Sequence, residues 1–359
     1  MNAKKFTPFL IAAALPMLLF SWFLPQGAVQ FDLWLLWLFA MVILGLPMTY
    51  LELALAKRSK NSVWLGMQTL TRESDAKTYW RIFAFFSVLL ALFLGAGSIA
   101  RYSMAIVYSL AQLNVSAIAG IPSYAIAFAL TVVALILSPL KSRLLAVGVA
   151  FLIAGGVLSL VMGGQNGIAM THVSFNEWAI AVVAALFSVG VGTGLYWFLD
   201  AKAPTNTDPV HPLTGKVLPI WLTQLVFGAA SFVVASATIH PIGILTAAVG
   251  VLLFASFLFY YAGVELAARF GKVAGFGGMV VLALLICALP PLLVGHILVV
   301  VGLVTTLFLA IFTGYSMKIS HLRKSLNFAS EARYNLWRVA VRWLVPLAAV
   351  SALVGWFLK

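Results

Sequence analysis

The sequence predicts an all-α integral membrane protein with about eleven transmembrane helices, a cytoplasmic N-terminus and an external C-terminus. Three observations predict it. Of the 359 residues, 63% are hydrophobic and only 9% are charged. Long apolar runs follow one another almost from end to end, and the basic residues fall on one side of them. A soluble domain has about 25% charged residues. The solvent for so much apolar surface must therefore be lipid, and the lipid bilayer is the first predicted partner.

A helix that spans a bilayer needs about 20 mostly apolar residues. We number the runs that qualify as segments one to eleven. They cover residues 6–24, 33–56, 82–112, 124–140, 144–163, 178–199, 217–238, 241–267, 273–293, 296–317 and 335–358. The fourth is short, whereas the third and eighth are long enough to be tilted or to extend past the bilayer.

The net charge of +13 indicates membrane orientation and not a nucleic-acid partner, because the basic residues lie in short loops. With the N-terminus inside, the inner loops and adjoining helix ends hold 20 of the 22 Lys and Arg residues, and the outer loops hold none. The exceptions are Arg101, inside a segment, and Lys359, at the C-terminus. One missed span would scramble this asymmetry, so it also supports the number of segments.

Three ionisable residues lie deep inside segments, where charged groups are costly and tend to mark transport pathways. Glu52 and Glu265 lie within one or two turns of the inner ends of segments two and eight. Both could instead snorkel to the interface or cap a helix. Arg101 lies in the middle of segment three, so its guanidinium should face protein or water and pair with an acid or a carbonyl.

Segment six contains glycine at three alternate positions, Gly190, Gly192 and Gly194. Each glycine costs a helix about 1 kcal/mol relative to alanine. Small residues can also mark close helix packing. Alternate positions do not form one packing face, however, so the pattern favours a broken helix of the kind that exposes backbone groups at the midplane of transporters.

Four stretches resemble the neurotransmitter:sodium symporter family. Gly45 to Arg58 looks like the family's Gly-Leu-Pro-x-x-x-x-Glu-x-x-x-Gly-Arg signature, and Phe187 to Gly192 is similar to its Leu-Ser-x-Gly-x-Gly hinge. The stretch from Ile311 to Tyr315 is similar to the family's Phe-x-Gly-Trp motif, and the stretch from Trp337 to Pro346 is similar to its Arg-Tyr-x-x-Pro motif. The stretches occur in the family's order, and the likeness spans essentially the whole chain.

The resemblance implies a LeuT-like fold in one transmembrane domain, residues 1–359. Two inverted repeats of five helices, about 6–163 and 178–317, are followed by an extra helix, about 335–358. It further implies a substrate of the amino-acid or amine class, bound between the repeats. Matched residue by residue, Tyr102 meets the substrate carboxylate and Glu52 supports the unwound region. The matching hinge residues that bind substrate are Ser188, Val189, Gly190, Val191 and Gly192.

Two departures bear on coupling. The family's first helix carries Gly-x-Gly-Asn-x-Trp-Arg-Phe-Pro, whereas Ala12 to Pro25 lacks the glycines, the asparagine and the gating arginine. Pro16 is the residue that could still break this helix, because proline removes a backbone hydrogen bond. When segment eight is aligned with the family on Glu265, Leu258 and Phe259 take the positions of the family's sodium-binding Thr-Ser pair. Hard cations need oxygen ligands, so no cofactor is expected and a sodium site is doubtful.

The sequence therefore predicts a secondary transporter that moves a small amino-acid-like or amine solute by alternating access. On this hypothesis Arg101 supplies, near the site, the fixed charge that sodium supplies elsewhere, which favours exchange, proton coupling or no coupling. The alternative is a transport-dead member that acts as a sensor or as a subunit of a membrane complex. No catalytic or metal-binding motif points to an enzyme. A bacterial inner membrane is the expected location, and homo- and hetero-oligomers both stay open.

Overall fold

The computed structural model describes residues 6–24, 29–115, 120–164, 167–201, 213–237 and 240–358. Within these ranges, eight helices are long and apolar enough to cross a membrane, and three shorter apolar helices accompany them. Together they correspond one to one to the predicted segments. The predicted all-α membrane class is confirmed.

The first half of the chain contains segments one to five and one loop helix. Segment one is α1 (Thr7–Phe23); segment two is α2 (Phe31–Ala40), a π-helical turn (Met41–Gly45) and α3 (Leu46–Ser59); a loop helix, α4 (Val63–Glu73), follows. Segment three is a 3-10 turn (Thr78–Arg81) and α5 (Ile82–Gln112); segment four is α6 (Ser123–Leu137) with a 3-10 turn (Ser138–Leu140); segment five is α7 (Leu145–Gly163).

The second half contains segments six to eleven. Segment six is α8 (Phe175–Ser188) and α9 (Leu195–Ala201); segments seven, eight and nine are α10 (Thr214–Ser236), α11 (Pro241–Phe270) and α12 (Lys272–Cys287). Segment ten is α13 (Pro291–Ile311) with a π-helical turn (Phe312–Ser316); a loop helix, α14 (Ile319–Leu326), precedes segment eleven, which is α15 (Glu331–Val339), a π-helical turn (Ala340–Leu344) and α16 (Val345–Phe357). Two short strands, β1 (Val29–Gln30) and β2 (Ile168–Ala169), pair in parallel between loops.

The predicted boundary between segments nine and ten, residues 293 to 296, is wrong. Segment nine ends at Cys287 and segment ten already begins at Pro291. Proline suits the first turn of a helix because the backbone N–H groups of that turn have no partner within the helix, so the missing N–H of proline costs no hydrogen bond. The prolines at 290 and 291 therefore begin a helix that hydropathy alone placed five residues later.

Segment one does not break at Pro16. α1 runs without interruption from Thr7 to Phe23, with Pro16 in its interior. A proline inside a membrane helix is tolerated where neighbouring groups accommodate the lost hydrogen bond, and Pro16 is buried against the other segments. The expectation that this proline unwinds the first helix is therefore wrong.

Prolines in segments two and eleven instead accompany π-helical turns. Pro47 follows the turn at 41–45, and Pro346 follows the turn at 340–344. Proline cannot donate to the helical ladder, so the hydrogen bonds shift locally. Indole N–H groups from segments seven and eleven donate to carbonyls of segment two: Trp221 to the Met41 carbonyl at 3.1 Å and Trp337 to the Pro47 carbonyl at 2.9 Å.

The loops that carry most of the basic residues meet at one face, as the orientation requires. Arg58 pairs with Glu73 at 2.8 Å, and Lys318 pairs with Asp75 at 2.9 Å. The first pair joins the end of segment two to its own following loop, and the second joins that loop to the loop that follows segment ten. We call this face the predicted inner side; Lys4, Lys5 and Lys202 lie outside the described residues.

The packing places the break in segment six at the centre of the protein. α11 packs along α5 and α7, while α1 packs on α10 and α8. α9 lies against α3. The described residues around the break are almost all buried.

Candidate functional site

The central feature of the candidate site is the interruption of segment six, which we call the hinge (residues 189–194). α8 ends at Ser188 and α9 begins at Leu195. Gly190, Gly192 and Gly194 have φ values of +67°, +85° and +66°. Residues with a side chain rarely adopt this left-handed backbone conformation, whereas glycine adopts it at no steric cost. The predicted break of this helix is confirmed.

Hydroxyl groups hold the freed backbone of the hinge. The Thr193 hydroxyl donates to the Gly190 carbonyl at 2.5 Å. The Tyr261 hydroxyl, from segment eight, donates to the Thr193 carbonyl at 2.7 Å. A buried carbonyl without a partner would be costly, so these bonds stabilise the interrupted conformation.

Glu52 joins segment two to the second half of segment six. Its carboxylate Oε1 accepts hydrogen bonds from the backbone N–H groups of Tyr196 and Trp197, at 3.1 and 3.2 Å. These donors lie in the first turn of α9, which has no helical partners for them. Glu52 is 1% exposed. It therefore caps a helix of another segment. The role that the resemblance implied, support of the unwound region, stays a prediction.

The space beside the hinge is filled by side chains. A Cβ atom built on Gly190 would lie 2.8 Å from Leu15 Cδ1, and one on Gly192 would lie 3.0 Å from Thr305 Cβ. The five residues of segment six that were predicted to bind substrate are buried, and they are Ser188, Val189, Gly190, Val191 and Gly192. Leu15 belongs to the continuous first helix. Because that helix is not interrupted, it places a side chain in the space beside Gly190.

Trp197 connects the second half of segment six to neighbouring parts of the protein. Its indole N–H donates to Ser59 Oγ at 3.0 Å and lies 2.9 Å from the Asn61 carbonyl. Gly66 of α4 packs against the indole, where an added Cβ would come within 2.7 Å of the ring. Gln224 donates to the Tyr196 hydroxyl at 2.8 Å. Segment six is thereby tied to the loop after segment two and to segment seven.

Glu265 performs a second long-range capping role. Its Oε2 atom accepts a hydrogen bond at 2.8 Å from the backbone N–H of Trp64, at the start of α4. Glu265 is fully buried. Of the readings that the sequence left open, capping describes both Glu52 and Glu265, although each caps a helix other than its own.

Arg101 and Tyr102 lie together, away from the hinge. The Arg101 guanidinium donates to the Ser21 carbonyl in the last turn of α1 and lies 5.0 Å from the Trp22 ring centroid. The expected carbonyl partner is therefore present. Both residues line a cavity of about 370 Å³. Its other lining residues are Met17, Phe20, Ser21, Leu24, Met104, Ala105, Leu152, Gly155, Gly156, Ser159, Ser231, Val234, Ala235, Gly243, Ile244 and Ala247.

The structure thus divides the predicted substrate-binding residues into two groups. Arg101 and Tyr102 line the cavity, whereas residues 188–192 do not. The roles assigned to both groups stay predictions.

Segment eight offers no hydroxyl at the positions that align with the family's sodium ligands. Leu258 and Phe259 are fully buried, and both pack close to Gly95 of segment three. Within the described residues, no group of three or more His, Cys, Asp or Glu side chains could hold a metal ion.

Sequence reasoning missed several residues of these sites. Tyr261 lies one helical turn before Glu265, so its face of segment eight could have been deduced from helical spacing. Leu15 carries no polar signal. Ser159 and Ser231 are hydroxyl-bearing residues inside segments five and seven, and this polar character is the sequence signal that could have identified them.

The fold defines a class of protein: a multi-span membrane protein with the LeuT-like arrangement. The solved structure of MhsT in complex with L-phenylalanine matches it, with a TM-score of 0.69 over 98% of each chain. Sequence identity is 14%, so the likeness shows the fold alone. No protein-family model and no curated protein sequence matches the chain.

Proposed function

We propose that the protein is a secondary transporter that moves a small amino-acid-like or amine solute across the cell membrane by alternating access. The observation that carries the proposal is the hinge of segment six together with its cap by Glu52. The cell membrane in question is, on this proposal, a bacterial inner membrane.

The hinge gives segment six two separately anchored halves. α9 is bound through Glu52 to α3, the second half of segment two, whereas α8 packs against α1, α16 and α2, the first half of segment two. Three glycines with positive φ lie between these halves. Transporters rearrange around discontinuous helices of this kind. Rotation at the glycines would allow α9 and α3 to move together relative to α8.

The solute class is supported by the fold likeness. MhsT, which has the same fold, was solved in complex with L-phenylalanine. An apolar amino acid is therefore the first solute to test.

Transport on this proposal does not use sodium in the family's manner. Leu258 and Phe259 supply no side-chain oxygen, and hard cations require oxygen ligands. Arg101 supplies a fixed positive charge in segment three. Exchange, proton coupling or uncoupled movement would each be compatible with that charge.

One observation favours the second candidate function, a transport-dead sensor or subunit of a membrane complex. The first helix is continuous and Leu15 fills the space beside Gly190. A central site that stays filled would bind nothing and would leave the hinge as a structural element. The two functions differ in whether a solute moves.

Uptake into proteoliposomes separates them. The purified full chain is reconstituted, and uptake of labelled L-phenylalanine and other amino acids is followed with sodium, with choline, and with the solute preloaded. We expect uptake or exchange that ignores the cation. Gly190→Ala, which forces a side chain into the left-handed region against Leu15, should abolish it.

Gly277→Ala is the matched control, because a Cβ there meets nothing within 4 Å. It should transport normally. Uptake that requires sodium would refute the proposed coupling. A folded protein that moves no solute in any condition would favour the sensor or subunit.

A further inference from the structure

The cavity beside Arg101 lies in a different place from the hinge. It has a volume of about 370 Å³ and lies between segments one, three, five, seven and eight. This volume is within the range of about 300–1,000 Å³ that is typical of small-molecule sites. Neither segment six nor segment ten contributes to its wall.

Among the described residues, the wall of the cavity carries one cation and no acidic side chain. Within the described part of the chain, Arg101 forms no ion pair with a carboxylate. Its recorded protein partners are the Ser21 carbonyl and the Trp22 ring. A guanidinium has five N–H donors in a fork, so these partners leave capacity for a further acceptor. A cation inside a membrane segment without an anion is a strong attractor for one.

The remainder of the wall is largely apolar. Met17, Leu152, Val234 and Ile244 come from segments one, five, seven and eight. A strongly hydrated anion such as phosphate would lose its water against these side chains without replacement. An anion with an apolar body would bury that body against them with a gain in free energy.

We infer that this cavity binds a small monocarboxylate with an apolar body, whose carboxylate is held by Arg101. The planar guanidinium matches a carboxylate in a bidentate geometry that lysine cannot reproduce. α-Amino acids and carboxylates without an amine share this chemistry. The inference rests on the proposed function for its role in transport, but binding at the cavity stands or falls separately.

Occupancy of the cavity is coupled to the end of the first helix. The Ser21 carbonyl, the present acceptor of Arg101, lies in the last turn of α1. A carboxylate can use the remaining N–H groups of the guanidinium while the Ser21 carbonyl keeps its hydrogen bond. Arg101 would then link the bound carboxylate to the end of segment one.

The test is thermal unfolding of the purified full chain with three probes. These are 3-phenylpropionate, which has a carboxylate but no amine, L-phenylalanine, which has both, and 2-phenylethylamine, which has only the amine. A ligand that binds the folded state raises the Tm by mass action. We expect shifts with the first two and none with the third. A shift with L-phenylalanine but not 3-phenylpropionate also supports the site and identifies the source as an α-amino acid.

Two variants localise the binding. Arg101→Gln should lower the affinity by about 10- to 100-fold, the range for a hydrogen bond to a charged group. Ala105→Phe keeps the guanidinium but fills the cavity one turn away, so it should remove the shift even if Arg101→Gln folds poorly. Arg143→Gln and Ala150→Phe are the matched controls, because both residues are exposed and neither lines the cavity.

The outcomes separate the site from the function. A shift that survives both Arg101→Gln and Ala105→Phe would overturn the inference, as would a shift with 2-phenylethylamine alone or no shift with any probe. Localised binding without uptake into proteoliposomes would refute the proposed transport and leave the site intact. Uptake that is unchanged in Ala105→Phe would refute the role of the cavity in transport and leave the transport intact.

Discussion

Removing the Glu52 carboxylate should uncap α9 and destabilise the whole protein. In Glu52→Ala, the backbone N–H groups of Tyr196 and Trp197 lose the acceptor that lies 3.1 and 3.2 Å away. Because Glu52 is 1% exposed, water cannot easily replace it. Each buried donor without a partner costs about 1–3 kcal/mol. We therefore expect the free energy of unfolding to fall by roughly 2–6 kcal/mol, twice that single-donor cost.

Two comparison variants make this value interpretable. Glu52→Gln keeps a side-chain oxygen that can accept from these N–H groups, so its free energy of unfolding should fall much less than that of Glu52→Ala. Glu331→Ala removes a carboxylate whose side chain is 78% exposed and paired with Arg323 at 2.9 Å. An exposed pair of this kind contributes about 0–1 kcal/mol.

The assay is unfolding in mixed micelles, with amide hydrogen exchange followed over residues 195–201. Exchange should accelerate there in Glu52→Ala and stay slow in Glu52→Gln. If Glu52→Ala unfolded like Glu331→Ala, with exchange at α9 unchanged, the capping argument would be refuted.

Three further predictions concern the hinge and its surroundings. Gly194→Ala places a Cβ at φ +66° and 2.7 Å from Val63, and should lower the free energy of unfolding by about 1–3 kcal/mol. Gly215→Ala is the control, because its Cβ meets nothing within 4 Å. Equal stability of the two variants in chemical unfolding would contradict the prediction of backbone strain at Gly194. Trp197→Phe removes the indole N–H that donates to Ser59 and should cost about 1 kcal/mol, measured against the exposed control Trp343→Phe; no difference between the two would show that this bond is immaterial. Replacing sodium by choline should leave the Tm of the ligand-free protein unchanged, whereas a fall in Tm would reveal a cation site.

The membrane segments were predictable because the signal is local. Apolar runs and basic loops need no knowledge of distant contacts, so all eleven segments correspond to helices. The glycines at 190, 192 and 194 also act locally, through their own φ values. The boundary at Pro291 failed because a hydropathy window does not see that proline begins a helix.

Contacts between distant segments were less accessible. Family resemblance suggested that Glu52 supports the break, but only the structure identifies its partners at Tyr196 and Trp197. Nothing in the pattern of Leu15 indicates that it fills the space at Gly190. The cavity depends on segments one, three, five, seven and eight approaching one another, and no spacing along the chain encodes that geometry. Arg101 was recognisable as an outlier, whereas its apolar surroundings were not.

The two buried carboxylates also constrain the order in which the protein assembles during synthesis. Trp64 and Glu265 are 201 residues apart, so at about 5–20 residues per second the start of α4 waits about 10–40 s for its cap. Glu52 waits about 7–30 s for Tyr196, which is 144 residues later. During that interval an acidic side chain sits near or in the bilayer without its final donors, at a cost to insertion. A nascent chain that stops before segment six therefore holds segment two in a provisional position, and such fragments should be favoured substrates for membrane quality-control proteases.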